Sequence, residues 1–295
     1  MSEASNPTPD RDLPPVLSEI VEHKRAEIEA GKQSEPISAL DSRIANAEPT
    51  RDFFGSLTHP NPNTPATRVI AEIKRASPSA GLIRPEYAQD EFRPEVIAEQ
   101  YSKAGASAIS CLTDEKFFAG HLTYINRIKS AVDLPVLRKD FILDPYQIHQ
   151  ARAYGADAVL LIAECLSDPQ IVEMLELAHT LDLGVLLEVH SRANLLRVLP
   201  ILRASIHKRA LLGINNRDLT KMMTDLAHTT DLVDLVEDRS ILVSESGIKT
   251  PADLAELRNH GVQIALIGEH LMRQAHPGEA LKAMLNPPID PSEPQ

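Results

Sequence analysis

Arg68-Val-Ile-Ala-Glu-Ile-Lys-Arg-Ala-Ser-Pro-Ser-Ala-Gly81 is the stretch from which the fold can be read. Val69, Ile70, Ala71 and Ile73 form a short apolar run, and a polar loop from Ser77 to Gly81 ends it. That pattern is a strand followed by a turn. Glu72 and Lys74 are two apart, so on a strand they point to the same side. Opposite charges on an apolar strand are costly to bury unless they pair or meet a ligand. Taken alone, the pair fits a structural ion pair, an exposed edge and a ligand site equally well.

Working outward, the same unit recurs: apolar strand, polar loop, helix, next strand. The strands expected are Arg68–Lys74, Ser107–Leu112, Val136–Lys139, Ala158–Ala163, Val185–Val189, Leu211–Asn215, Ile241–Ser244 and Ile264–Ile267. Asp144-Pro145, Asp168-Pro169 and Thr250-Pro251 each read as an N-cap with proline at the first helical position. Gly105, Gly155, Gly184 and Gly261 precede strands, where a helix ends on a left-handed residue. Strands apolar on both faces imply a parallel sheet covered by helices. Eight such units make an α/β protein with a single (β/α)8 TIM barrel. A doubly wound open sheet is the alternative, but no G-x-G-x-x-G follows the first strand.

Ahead of the barrel, Leu17, Ile20, Val21 and Ile28 fall on one helical face, and weaker signals follow at Ile37 to Ala47 and at Phe53, Phe54 and Leu57. The expected organisation is a disordered start (1–14), a helical extension (15–67) capping the barrel, the catalytic barrel (68–286) and a frayed tail (287–295). Pro60-Asn-Pro-Asn-Thr-Pro65 reads as a linker or loop. A dimerisation helix is the alternative use of the extension.

The chain has 295 residues, 43% hydrophobic and 24% charged, with no Trp, so the core is aliphatic. The net charge of −12, without a basic run, argues against nucleic acid as a partner. The longest apolar run, Ala158 to Ala163, is far short of the roughly 20 residues that span a bilayer, and no signal peptide is visible. Cys111 and Cys165 lie in apolar runs without metal-ligand spacing and read as buried reduced thiols. These features describe a soluble, cytoplasmic protein with no membrane partner, monomeric or at most a weak homodimer.

A barrel carries its active site at the C-terminal strand ends. Those ends supply Glu72 and Lys74; Arg138, Lys139 and Asp140; Glu188; Asn215; Glu245, Ser246 and Gly247; and Gly268 and Glu269. Gly247 and Gly268 sit where barrels bind phosphate through backbone N–H groups, although each glycine alone also fits a tight turn. Ser77 adds a hydroxyl. His190, two residues past Glu188, could titrate near the site, although a place at the surface or behind the site is the expectation. Met222 and Met223 are expected in helix packing.

The motifs Ala71-Glu-Ile-Lys-Arg-Ala-Ser-Pro-Ser79, Leu112-Thr-Asp-Glu-Lys-Phe-Phe-Ala-Gly120, Pro135-Val-Leu-Arg-Lys-Asp-Phe141, Gly213-Ile-Asn-Asn-Arg-Asp-Leu219 and Ser244-Glu-Ser-Gly247 occur in order at the strand ends. Together with His23-Lys-Arg-Ala-Glu27, they resemble the indole-3-glycerol phosphate synthase family across about residues 15 to 275. The resemblance implies ring closure of 1-(2-carboxyphenylamino)-1-deoxyribulose 5-phosphate, with release of carbon dioxide and water, in tryptophan biosynthesis. It implies Lys139 as the acid for the carbonyl, Glu188 as the base for dehydration and Lys74 as a second lysine binding the substrate carboxylate. Glu72 and Asn215 would orient the substrate, with Arg217, Glu245 and Ser246 also in contact. Ser77, Gly247, Gly268 and Glu269 would meet the phosphate, and Phe118, Phe141 and Leu160 the aromatic ring. No cofactor and no metal are implied.

A lysine acid works best when desolvation or a neighbouring cation lowers its pKa, and Arg138 and Lys74 are the expected neighbours of Lys139. Glu269 stands where some relatives carry Ser, so its side chain could repel phosphate. The long acidic loop from Gly81 to Phe92 fits either a segment that closes on the ligand or a mobile surface loop. Two rivals remain. A phosphoribosylanthranilate isomerase would want a cysteine near the end of strand one, where Lys74 stands. A noncatalytic scaffold would have no reason to keep Lys74, Lys139 and Glu188 together.

Overall fold

The computed structural model describes residues 13–59, 65–88, 92–204, 209–218 and 223–286. The first twelve residues, the tail from 287, positions 60–64 and Met222 lie outside these, and with them most of the expected disordered ends and the Pro60–Pro65 linker. The barrel strands are β1 Arg68–Ile73, β2 Ala108–Leu112, β3 Val136–Lys139, β4 Ala158–Ile162, β5 Gly184–Val189, β6 Ala210–Asn215, β7 Leu242–Glu245 and β8 Ile264–Ile267. All pair in parallel, and the sheet closes because β1 bonds to both β2 and β8, with Ile70 opposite Ala108 and Arg68 opposite Ile264. Closure excludes the doubly wound alternative. β1, β2, β4, β5, β7 and β8 are buried along their whole length, as a sheet wrapped by helices requires.

The helix starts follow local chemistry. At α6 (Pro145–Ala153) the Asp144 carboxylate accepts from the Tyr146 N–H at 2.8 Å. At α10 (Pro251–Asn259) Thr250 and Asp253 cap each other reciprocally, at 3.2 and 2.8 Å. The cap of α7 (Asp168–Thr180) is one residue earlier than expected: it is Ser167, whose N–H donates to Gln170 at 3.0 Å. Gly184 also differs from expectation. It opens β5 with no positive φ, and Asp182 (φ 58°) makes the left-handed turn instead. Phe53 packs against Gly184, so the glycine is there for close approach.

The N-terminal helices do not act as one cap. Helix α1 (Pro15–Ser34) lies across the C-terminal mouth, burying Leu17, Ile20, Val21 and Ile28. Helix α2 (Ile37–Ile44) packs beside α6 through Leu40 and Tyr146. Helix α3 (Phe53–Thr58) sits at the opposite end, where Phe53 meets Gly184, the first residue of β5, and the Arg51 guanidinium donates to the carbonyls of Val132 and Leu134. Residues of the extension thus pack at both ends of the barrel.

The segment after β1 is also more built than a bare loop. Ala76–Ser77 pairs antiparallel with Gly81–Leu82, Arg75 donates to the Tyr87 carbonyl at 2.8 Å, and Arg84 reaches the Gln274 carbonyl at 2.6 Å. Ile83, Tyr87 and Phe92 are buried. Met223 is no helix residue; it lies in a two-residue strand pairing with Arg217–Asp218 and is exposed.

Candidate active site

A cavity of about 460 Å³ opens at the C-terminal mouth. Its floor carries Glu72, Lys74, Lys139, Glu188 and Asn215 from β1, β3, β5 and β6, and residues beyond them. The strands are parallel and in register, so equivalent positions near their ends converge on the axis. Phe118, Phe141 and Leu160 form an apolar wall, the two rings lying 6.1 Å apart. Val16, Leu17 and Ile20 of α1 complete the lining. Ser77, Arg217, Ser246, Gly247, Gly268 and Glu269 gather along another side. Of the expected site residues only Glu245 is off the wall. It lies behind Lys139, buried, as an ion-pair partner rather than a surface for a ligand.

Lys139 is the hub. Its ammonium donates to Glu188 Oε2 at 3.0 Å and to Glu245 Oε2 at 2.7 Å. Glu188 Oε1 accepts from the Asn215 amide at 3.1 Å. Lys74 pairs with Glu72 at 2.8 Å, which resolves the first ambiguity of the sequence: the two charges on β1 meet each other inside the cavity. Gly213 and Gly268 make this packing possible. A Cβ at Gly268 would collide with the Glu72 carboxylate, and one at Gly213 with that of Glu245.

The electrostatics reverse one expectation. Burial pulls the Lys139 pKa down, but Glu188, Glu245 and Glu72 outweigh it and hold the ammonium well above the ordinary lysine range. Arg138 does not crowd it. As the preceding strand residue it points the other way, donating to Asp140 and to the Gln147 carbonyl, both at 3.0 Å. Lys74 is tied to Glu72. Burial raises Glu72 and Glu188, yet the lysines win: Lys74 and Lys139 depress Glu72, and Lys139 and His190 depress Glu188. For Glu245 burial dominates, reinforced by the Glu188 charge, and its carboxyl is pushed up. Of the two carboxylates sharing Lys139, Glu188 is the one held below the ordinary range. It alone also has His190 and Asn215.

At the mouth, Ser246 (φ 69°) and Gly247 (φ 83°) turn the chain sharply after β7, and Asn216 holds the turn by donating to the Ser246 carbonyl at 3.0 Å. A serine with positive φ is uncommon and carries strain. Gly268 has negative φ and is there to clear Glu72. Glu269 is flanked by cations: Arg217 at 3.3 Å and Arg273 at 2.8 Å. Arg217 also donates to Ser79 at 2.9 Å, linking this edge to the segment after β1.

Two features go beyond the sequence reading, one unforeseen and one placed only loosely. One is Lys24 of α1, fully buried and bonded to Asp114 at 2.9 Å and Asp140 at 3.0 Å. Its signal was a lysine at the i+7 position of the stripe Leu17, Ile20, Val21. The other is His190, which is not at the surface: it lines the cavity and lies 3.2 Å from Glu188.

The sequence profile of the family described as "Indole-3-glycerol phosphate synthase" matches residues 17–284. The chain is 48% identical over 271 residues to "Indole-3-glycerol phosphate synthase" of Rhodopirellula baltica, covering 92% of this chain and 98% of that one. It is 45% identical over 270 residues to the protein of that name from Burkholderia multivorans, covering 91% and 98%. Among solved structures it is similar to a 3-hexulose-6-phosphate synthase (TM-score 0.55, 15% identity, 74% of this chain and 100% of the other). A second, from Salmonella typhimurium, has TM-score 0.56 at 13% identity, covering 74% and 98%. At such identities these two speak for the barrel fold alone.

Proposed function

The chain belongs to the indole-3-glycerol phosphate synthase family, and we propose that it closes the indole ring of 1-(2-carboxyphenylamino)-1-deoxyribulose 5-phosphate by the residues gathered in this cavity. One observation carries the reading: Lys74, Lys139 and Glu188, from three different strands, face a single cavity with an apolar wall on one side and Ser77, Arg217, Ser246 and Gly247 on another.

The substrate has three parts to place. Its anthranilate ring fits against Phe118, Phe141 and Leu160. Its phosphate lies toward the backbone N–H groups at Gly247 and Gly268, with Ser77 and Ser246 hydroxyls beside them. Its carboxylate meets Lys74. The ring carbon bearing the carboxylate attacks the ketone, and Lys139 donates a proton to the oxygen as charge develops there. Its raised pKa keeps that proton on the lysine at neutral pH until the nascent alkoxide, a far stronger base, takes it. Loss of carbon dioxide restores the aromatic ring. Glu188, held ionised, then removes the proton from the carbon next to the ring nitrogen, while Lys74, freed by the loss of carbon dioxide, protonates the departing hydroxyl so that it leaves as water. Glu72 and Asn215 fix Lys74 and Glu188. The sequence of steps is redox-neutral: two protons are delivered, one is recovered by Glu188, and solvent supplies the net proton as the site resets.

Cys111 and Cys165 are buried and not joined by a disulfide, which suits the cytoplasm. Among the described residues no helix is long and apolar enough to cross a membrane. The test is indole fluorescence on the ribulose substrate with wild type and Lys139→Met. Turnover should fall about 10²- to 10⁴-fold in the variant. Wild-type turnover in Lys139→Met would refute the acid assignment.

A further inference from the structure

Beyond the five floor residues, the cavity holds one more titratable side chain in direct contact with the proposed base. His190 Nε2 lies 3.2 Å from Glu188 Oε1, and Nδ1 lies 3.2 Å from Glu164 Oε2. The imidazole thus bridges two carboxylates. Glu164, just past β4, is itself fixed: its Oε1 accepts from the His190 backbone N–H at 2.7 Å and from the Asn194 amide at 2.9 Å. The His190 and Glu164 side chains are only 9% and 12% exposed, so this is no solvated surface pair.

We propose that His190, oriented by Glu164, is a positioning residue that holds Glu188 ionised and aimed through the dehydration step. The inference rests on the reading of Glu188 as the base. Its logic is a count of charge through the reaction. In the resting site Glu188 leans on Lys139 and, with its ring protonated, on His190. When Lys139 gives its proton to the carbonyl, it becomes neutral. Glu188 then loses one counter-charge shortly before it must act as a base, with only Asn215 and His190 left on Oε1. The imidazolium is the cation that persists. With N–H groups toward both carboxylates it also fixes the ring and therefore the position of Oε1.

The groups facing His190 come from several elements. Glu188 is on its own strand, and Glu164 follows β4. Glu245 of β7 and Lys139 of β3 stand behind Glu188, and the His228 ring of helix α9 (Ala227–Leu232) lies 3.1 Å from the His190 carbonyl. Burial disfavours the charged imidazole, but Glu164 and Glu188 outweigh it, so the net displacement is upward from the ordinary histidine value. The raised pKa means that the imidazolium is present below its midpoint and lost as pH rises through it. Turnover supported by it is therefore lost on the alkaline side.

The experiment pairs imidazole ¹⁵N NMR with pH–rate profiles on the full chain. His190 should titrate above its ordinary value in wild type, and its midpoint should fall in both Glu164→Gln and Glu188→Gln. In Glu164→Gln the alkaline limb of kcat should move down in pH with the NMR midpoint. His190→Leu should lose about 10- to 100-fold in kcat with KM within a few-fold, the size expected when a reacting group is displaced by about an ångström. His190→Gln, which keeps a donor, should recover part of that. An NMR midpoint indifferent to Glu188→Gln, or wild-type kcat in His190→Leu while Glu188→Gln is dead, overturns the proposal alone. Wild-type turnover in Glu188→Gln overturns the base assignment and this proposal with it.

Discussion

Replacing Lys24 by methionine is the sharpest test of how the mouth of this barrel is built. Lys24 bonds to Asp114 at 2.9 Å, Asp140 at 3.0 Å and the half-exposed Glu27 at 2.9 Å. Lys24→Met keeps most of the side-chain volume and leaves two buried carboxylates without their shared cation. They do not suffer equally. Asp140 keeps Arg138 at 3.0 Å, Thr113 at 2.6 Å and the Phe141 N–H at 2.8 Å. Asp114 keeps only the Phe117 N–H, at 2.7 Å on Oδ1; its Oδ2 has no hydrogen-bond partner beyond the Lys24 contact among the described residues. Breaking a buried pair by removing one partner costs about 3–5 kcal/mol, and here the loss falls mainly on Asp114.

That cost acts where α1 docks. Burying the four aliphatic side chains Leu17, Ile20, Val21 and Ile28 contributes about 1.5–3 kcal/mol each at most. A loss of 3–5 kcal/mol is thus a large share of what holds the helix. Hydrogen exchange of α1 amides should speed up about 10²- to 10³-fold in Lys24→Met, at about 1.4 kcal/mol per factor of ten. Amides of β6 and β7, across the closed barrel from the contact, should change little. KM should rise, because Val16, Leu17 and Ile20 line the cavity. The double variant Lys24→Met/Asp114→Asn removes the stranded charge but keeps the acceptor for Phe117, and should recover most of the protection. Unchanged α1 exchange in Lys24→Met, or a double variant worse than the single, would refute the reasoning. The acid side gives a second reading. Burial raises Asp140, but Lys24 and Arg138 together drive it well below the ordinary aspartate range. A depressed carboxylate stabilises above its unfolded pKa, and that stability is lost only as pH falls through the folded value. Wild type therefore keeps this contribution into strong acid, whereas Lys24→Met should begin to lose it at higher pH.

Gly268→Ala places a Cβ against the Glu72 carboxylate and should cost about 100-fold in kcat/KM by shifting the Glu72–Lys74 pair, measured on the ribulose substrate; full activity would mean the pair tolerates displacement. Glu269→Gln removes a charge from the edge of the cavity where the phosphate is expected. KM should fall a few-fold at low salt, with the gain shrinking as salt is added; a rise in KM would show that Glu269 is needed to hold Arg217 and Arg273. Phe53→Ala empties a packed position at the barrel's N-terminal end and should cost about 3–5 kcal/mol in urea unfolding with kcat nearly unchanged; an equal effect on kcat would mean the floor and the mouth are coupled.

The strands were legible because a parallel barrel imposes one rule on every unit: apolar on both faces, polar where the strand ends. Val136–Lys139 and Ile264–Ile267 could be bounded to the residue for that reason. The site was legible for the same reason, since residues at strand ends must converge once the sheet closes. What the one-dimensional pattern misses is what a side chain meets once it arrives. Arg138 and Lys139 are neighbours in sequence, and proximity along the chain suggested a crowded lysine. Strand alternation instead sends Arg138 outward, and the partners of Lys139 are carboxylates 49 and 106 residues away. Gly268 was read as a turn or an anion contact, while its reason for being glycine lies on the next strand, in the Glu72 carboxylate. Lys24 was missed because its buried partners Asp114 and Asp140 come from other elements, so no local period marks its role; for His190 the closeness to Glu188 was legible, but not the second partner, Glu164, from beyond β4. The common physical point is that a buried charge is specified by its counter-charges, and in a closed barrel those come from adjoining and facing strands rather than from the flanking sequence.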